Sequence, residues 1–388
     1  MRPRLALLLG CAASLVALPL RADAAGERIA VAWDDVALEG RLAAQDAAPP
    51  YAFVTPTLSL GGDGLVRAEP ARVLHLSRTT GVLTLVDAQA WTIAASFALG
   101  AAELPRDIAV IDADSAYVSR RNARFLWRLD LESGARVDAV DLAPLGAGDG
   151  NPAQDTMLVH EGRLYLQLAG EPGTSQPHAL AVIDLASETL VDADPDLPGI
   201  QGIALVGTGP RFKMQIVPGA NQLLVSATGA FHDDGGLERI DLTNLTSMGL
   251  EVFEQIEAGA DLGAFVQLDG SRGWLVFSTD LLLSSHLHPY TFETGMDSFE
   301  ADVLLDYFVP HMVYVRPSNT LFWPEPDGVQ PFDGTTGVPR ADATPLPVAG
   351  IPTDLALLAS AQVAFAAPAW AYAALVLGIA ATGLMRRV

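Results

Sequence analysis

The sequence has 388 residues, 50% of them hydrophobic, with 46 acidic against 23 basic side chains and a formal net charge of -23. That length supplies one large or two ordinary domains, and a surface this acidic repels phosphate backbones and anionic headgroups, which argues against nucleic-acid binding. Lys213 is the only lysine and Cys11 the only cysteine, so no disulfide can form within the chain.

In chain order, residues 1–24 read as an export signal. "MRPR" supplies positive charge, "LALLLGCAASLVALPL" an apolar stretch, and "ADA" a cleavage site through Ala22 and Ala24. The expected mature start is near Ala25. Cys11 lies inside that signal, where "LLGC" offers lipoprotein processing as the alternative. Residues 25–70, with "ERIAVAWDDVALEGRL", form an N-terminal segment or an extra blade.

Residues 71–358 carry a repeat. Its clearest copy is "LPRDIAVIDADSAYVSRRNARFLWRLDLESGARVDAVDL", Leu104 to Leu142. It divides into four short pieces, apolar or alternating, each bounded by turn residues. Four antiparallel strands in about 40–45 residues make one β-propeller blade. Weaker copies contain "GRLYLQL", "NQLLVSA" and "RVLHLSR". An aspartate ends the third strand of each unit, at Asp87, Asp130, Asp184 and Asp241, and Asp333 continues the series. Such a carboxylate accepts hydrogen bonds from the turn amides that follow, so these aspartates are read as structural. Trp127, Trp274 and Trp323 fall near strand middles and are read as packing.

The pieces "PRDIAV", "AYVSRRNARFLWRLDLESGARV" resemble a YVTN-type β-propeller repeat of the bacterial cell envelope. Tyr117, Val118 and Ser119 stand where that family has its Tyr-Val-Thr-Asn strand, and Arg120 takes the place of the asparagine. The resemblance implies a propeller and no particular activity. The unit from Ala71 starts at its second strand, and "IPTDLALL", Ile351 to Leu358, echoes "LPRDIAVI". A first strand donated from there would close the ring and remove its open edge. The expected fold is therefore an all-β propeller of six four-stranded blades, or seven if residues 27–70 add one. A long β-sandwich is the rival.

Known catalytic and nucleotide-binding motifs are absent, so no catalytic or cofactor-binding residue is assigned. Candidate metal ligands are His286 and His288, two apart and so on one side of a strand, with His311 following. Three imidazoles and a carboxylate could hold zinc or iron; the competing reading is a polar insertion between blade strands. "GAGDGN" could hold Ca²⁺ through Asp149, Asn151 and Asp155. No cofactor is predicted beyond these low-specificity divalent sites.

Residues 359–367 read as a linker. From Pro368 to Met385 the chain is uncharged and apolar, then ends on Arg386, Arg387 and Val388. Its length suits a bilayer span, Trp370 and Tyr372 suit the interface, and the arginines suit the cytoplasmic side. This segment resembles a PEP-CTERM-type sorting tail, with Pro368 as the motif's proline, which implies processing by an exosortase-like enzyme. The sequence thus predicts an exported binding or scaffold module of the cell envelope, held by a C-terminal helix or released after processing. Its expected partners are an envelope or matrix protein or polysaccharide, and the membrane. The alternative is a propeller enzyme, a lactonase-like hydrolase or quinoprotein-like dehydrogenase, with its site at the channel mouth.

Overall fold

The structure is a computed structural model that describes residues 26–358 apart from 147–149, 170–177, 228–234, 254–260, 280–283, 292–294, 297–302 and 306–310. Among these residues thirty strands form seven antiparallel sheets arranged as the blades of a propeller. Blade 1 contains β1 (Arg28–Asp35), β2 (Gly40–Asp46) and β3 (Leu58–Leu60). Blade 2 contains β4 (Gly64–Ala68), β5 (Arg72–Ser77), β6 (Val82–Asp87) and β7 (Thr92–Ala98). Blade 3 contains β8 (Pro105–Val110), β9 (Ser115–Arg120), β10 (Phe125–Asp130) and β11 (Arg136–Asp141). Blade 4 contains β12 (Gln154–His160), β13 (Arg163–Leu168), β14 (Ala179–Asp184), β15 (Thr189–Val191) and the short β16 (Ile203–Ala204). Blade 5 contains β17 (Pro210–Ile216), β18 (Gln222–Ala227), β19 (Gly236–Asp241) and β20 (Thr246–Phe253). Blade 6 contains β21 (Asp261–Gln267), β22 (Arg272–Thr279), β23 (Ser284–Thr291), β24 (Gly295–Met296) and β25 (Val303–Leu305). Blade 7 contains β26 (Val313–Val315), β27 (Thr320–Glu325), β28 (Gly328–Asp333) and β29 (Thr344–Pro345).

The last strand, β30 (Gly350–Leu358), leaves blade 7 and pairs with β1, so blade 1 is built from both ends of the described chain. Register runs from Arg28 opposite Leu358 to Asp35 opposite Gly350. The expected donated strand is therefore present, but its host differs. It completes residues 28–60 rather than the unit from Ala71. That unit has its own inner strand in β4, whose sequence "GLVRA" lacks the Pro-x-Asp signature of "LPRDIAVI". Among the described residues the fold is an all-β propeller of seven blades, the count expected if residues 27–70 add one, in place of six, and the expected transmembrane helix is not among them. No helix among them is long and apolar enough to cross a membrane; the only helical turns are the 3₁₀ segments Ala101–Glu103 and Ala143–Leu145. Pro368, Trp370, Arg386 and Arg387 lie outside the described residues, as do Ala22 and Ala24.

Side chains alternate along each strand, and here both faces of a blade are covered by a neighbour. Ile29, Val31 and Trp33 of β1 pack with Val313, Phe322 and Val329 of blade 7. Ala30 and Ala32 between them pack with Val66, Val73 and Val86 of blade 2. This double burial explains why the middle strands read as continuous apolar runs. Seven such clusters lie at the seven blade junctions, so the core is a ring of interfaces. Trp274 and Trp323 meet in the junction of blades 6 and 7, and Trp127 lies in that of blades 2 and 3. All three are buried, as the packing reading expects.

The recurrent aspartates close the hairpins between the third and fourth strands. Asp130 Oδ1 accepts the amides of Glu132 and Ser133. Asp87, Asp184, Asp241 and Asp333 accept the corresponding pairs. Hydrogen bonds from the turn hold the Asp130, Asp184 and Asp241 carboxyls below the usual carboxylate range. Four residues after each aspartate the backbone has positive φ, at Trp91, Gly134, Glu188, Leu245 and Gly337. Only two of these five are glycine; Trp91 is held by burial in the junction of blades 1 and 2, Leu245 in that of blades 4 and 5, and Glu188 by Tyr117 and Arg128.

Two outcomes follow from this architecture. Ending the chain at Val348 removes β30 and leaves the whole edge of β1 unpaired; the truncated protein is expected to aggregate or to lose cooperative unfolding, read by size exclusion and thermal denaturation. Trp323→Ala empties a fully buried indole site and is expected to cost about 3–5 kcal/mol in urea unfolding.

Candidate functional site

The inner edges of the blades are β30, β4, β8, β12, β17, β21 and β26, and contacts between successive inner strands carry the ring around a central channel. Several of these strands depart from regular pairing. In β30 the register shifts around Thr353, and in β8 around Arg106. An extra residue bends a strand and re-aims its side chains. Here the bulged residue reaches the next blade. Thr353 Oγ1 donates to the Gly64 carbonyl at 2.8 Å, and Arg106 pairs with Asp155 of β12 at 3.2 Å.

The aspartate that follows each bulge completes the clasp. Asp354 accepts the Val66 amide of β4 and the amide of Leu355, both at 2.8 Å. Asp107 accepts the Met157 amide of β12 and the amide of Ile108, both at 2.7 Å. The shared Pro-x-Asp piece of "IPTDLALL" and "LPRDIAVI" is thus a device that fastens one inner strand to the next.

Arg67 of β4 sits between these two carboxylates, 2.6 Å from Asp107 and 3.5 Å from Asp354. Burial works against its charge, but the attraction of Asp107 and then Asp354 outweighs burial and raises its pKa. On the far side of Asp354 lies His311, its Nδ1 3.5 Å from Oδ1. Burial pushes the His311 imidazole down to about 4, against the pull of Asp354, so it is neutral at pH 7. Lys213 of β17 donates to the Met312 carbonyl at 2.7 Å. Blades 5, 7, 1, 2 and 3 therefore all place a polar group in one throat.

Beside the throat is a cavity of about 500 Å³ lined by β17, β21, β26 and β30. Its polar lining comprises Glu27, Lys213, Gln215, Gln267, Tyr314 and Arg316. Gln215 and Gln267 are fixed by two hydrogen bonds, from Gln215 Nε2 to the Gln267 carbonyl and from the Gln267 amide to Gln215 Oε1, each 2.9 Å. The Tyr290 hydroxyl and Gln267 Oε1 are also hydrogen-bonded. A second hollow, near 440 Å³, lies between blades 4 and 5 around Arg163, Asp184 and Asn221. It sits away from the channel, and its Asp184 is committed to a hairpin turn.

The residues expected to hold a metal are divided by the fold. His286 and His288 lie on β23, the third strand of blade 6, with their rings stacked at 6.0 Å, and His288 meets Phe277 edge-on at 5.8 Å. They do share one side of the strand. His311, however, stands at the entrance to β26 beside Asp354. Among the described residues no three His, Cys, Asp or Glu side chains are grouped as metal ligands. In the glycine-rich stretch, Asp155 points to Arg106, and Asp149 lies outside the described residues.

Sequence reasoning passed over Lys213 as a site residue. Its signal was there: the sole lysine of the chain, inside the strand piece "PRFKMQI". It also passed over Arg67, whose partners Asp107 and Asp354 are respectively 40 and 287 positions away.

No family model matches the chain, and no curated protein matches it in sequence. Solved structures match in fold. One is a functionally unknown protein from Desulfotomaculum acetoxidans, with 14% identity, TM-score 0.57, and coverage of 86% of this chain and 99% of that one. Another is the dihydro-heme d1 dehydrogenase NirN, with 13% identity, TM-score 0.54, and coverage of 85% and 74%. Hydrazine synthase from Kuenenia stuttgartiensis matches with 14% identity, TM-score 0.53, and coverage of 69% and 75%. At these identities the likeness establishes a β-propeller and nothing of its chemistry.

Away from the cavity, His75 of β5 is 1% exposed, and neither ring nitrogen has a hydrogen-bond partner. Burial lowers its pKa to about 4, as it does for His311. Both imidazoles take up protons between pH 6.5 and 4 when unfolded but resist them when folded. Stability is expected to be retained above pH 6.5 and to fall as pH drops toward 4. His75→Leu should make that decline shallower, checked by urea midpoints at pH 7.5, 6, 5 and 4.

Proposed function

We propose that the protein is an exported binding propeller that holds a small polar ligand in the cavity beside its channel throat. The carrying observation is how the charged side chains there are used. Arg67, Asp107 and Asp354 are all engaged in ion pairs and backbone hydrogen bonds between blades. Such groups rigidify the scaffold, and their charges are balanced between blades. The cavity next to them combines apolar walls, Val266, Val313 and Leu355, with a few fixed polar groups, the composition of a ligand pocket. Export rests on the charged, apolar and small-residue stretches of residues 1–24. It predicts a mature N-terminus near Ala25, with an envelope or matrix molecule as the natural source of ligand.

The binding reading is tested by thermal-shift screening of the purified protein against small polar metabolites, charged and neutral. At least one is expected to raise the melting temperature saturably. Leu357, on the face of β30 toward blade 7, lines the space, so Leu357→Trp should fill it and abolish that shift while leaving the unliganded melting temperature within a few degrees. Absence of any saturable ligand, or equal binding by Leu357→Trp, would remove the cavity from consideration.

A further inference from the structure

We infer that the ligand of this cavity carries a carboxylate, held by the Lys213 ammonium with Arg316 as the second cation; this inference rests on the binding reading above. The chain has twice as many acidic as basic side chains, yet two of its cations on this cavity have no acidic partner. An ammonium has three donors. Lys213 uses one, on a neutral carbonyl of Met312, and no carboxylate among the described residues pairs with it. The Arg316 guanidinium makes no hydrogen bond or ion pair among the described residues either.

A cation removed from water is costly unless paired. Burial pushes the Lys213 amine down to about 8, with Asp354 pulling it upward and Arg67 pushing it further down. Asp354 does not serve as its counter-ion, because its oxygens already receive two amides and Arg67. An incoming carboxylate supplies what the amine lacks. It can take the open donors of Lys213 without breaking the clasp between Asp354 and Arg67.

Gln215, Gln267 and Tyr314 line the same space as the two cations. They offer neutral polar groups to the remainder of a ligand, and Glu27, the single acid of the lining, disfavours a second negative charge near it. A compact monocarboxylate with hydroxyl groups fits this set best, and a sugar acid is of that class.

The test compares pairs that differ at one group: D-glucuronate against D-glucose, and lactate against lactamide, by titration calorimetry on the full chain at pH 7. Binding of a carboxylate with at least tenfold preference over its neutral twin is expected. Lys213→Met should weaken that binding at least tenfold and Lys213→Arg less so. Affinity should fall as pH rises past 8, where the amine loses its charge beside Arg67, Asp354 and His311. If Lys213→Met does not fold, Arg316→Gln serves, with a severalfold loss expected. Equal binding of neutral and charged twins, or unchanged affinity in the folded Lys213→Met protein, overturns the carboxylate inference. Saturable binding of a neutral ligand that Leu357→Trp abolishes would still uphold the cavity as a binding site, so the two readings fail separately.

Discussion

Everything in this molecule depends on the pairing of β30 with β1. A propeller blade has no core of its own; its apolar faces are satisfied only by the blades on either side. That condition can hold for every blade only if the ring closes. The closing element is backbone, from Gly350 to Leu358 against Asp35 to Arg28, reinforced by Asp354 and Thr353 reaching into blade 2. Closure thus fixes the position of blade 2 relative to blade 1. Through Arg67 and Asp107 it fixes blade 3 as well.

The charged throat is a by-product of this fastening and the reason a site can exist beside it. Inner strands converge on the axis, so a bulge that clasps a neighbour also delivers polar groups to the channel. Most of these groups are consumed by the clasp. Lys213 is an exception, because its carbonyl partner belongs to blade 7, with blade 6 between its own blade and that one. A long flexible side chain crossing that distance leaves one face of its ammonium toward the cavity.

Much of the ring was legible in the sequence, through features that act locally. The turn aspartates announce themselves because their partners are two and three residues away. Tyr117 and Val118 announce a strand because both are buried between blades; the Tyr117 hydroxyl donates to Glu188 of blade 4 at 2.9 Å. The donated strand was legible because Asp354 and Asp107 do the same work in the same local frame. The blade count was not, and the reason is specific. β4 receives the clasp of blade 1 instead of making one in the same form, so it carries Leu65, opposite Leu76, where β8 has Asp107 opposite Ser119. The cavity was beyond sequence reasoning for a related reason: its walls come from four strands of different blades, with no spacing rule to link them. His286 and His288 show the converse. Their spacing is genuine strand geometry, yet it serves ring stacking within blade 6.

The antiparallel seam has a mechanical side. Arg28 and Leu358 face each other at one end of it, so the chain enters and leaves the disc side by side. Tension drawing those two ends apart would load the hydrogen bonds one at a time, starting at that pair and running toward Asp35. The disc would open like a zipper. The same seven blades, pulled at any other two points on the rim, would instead resist as a hoop.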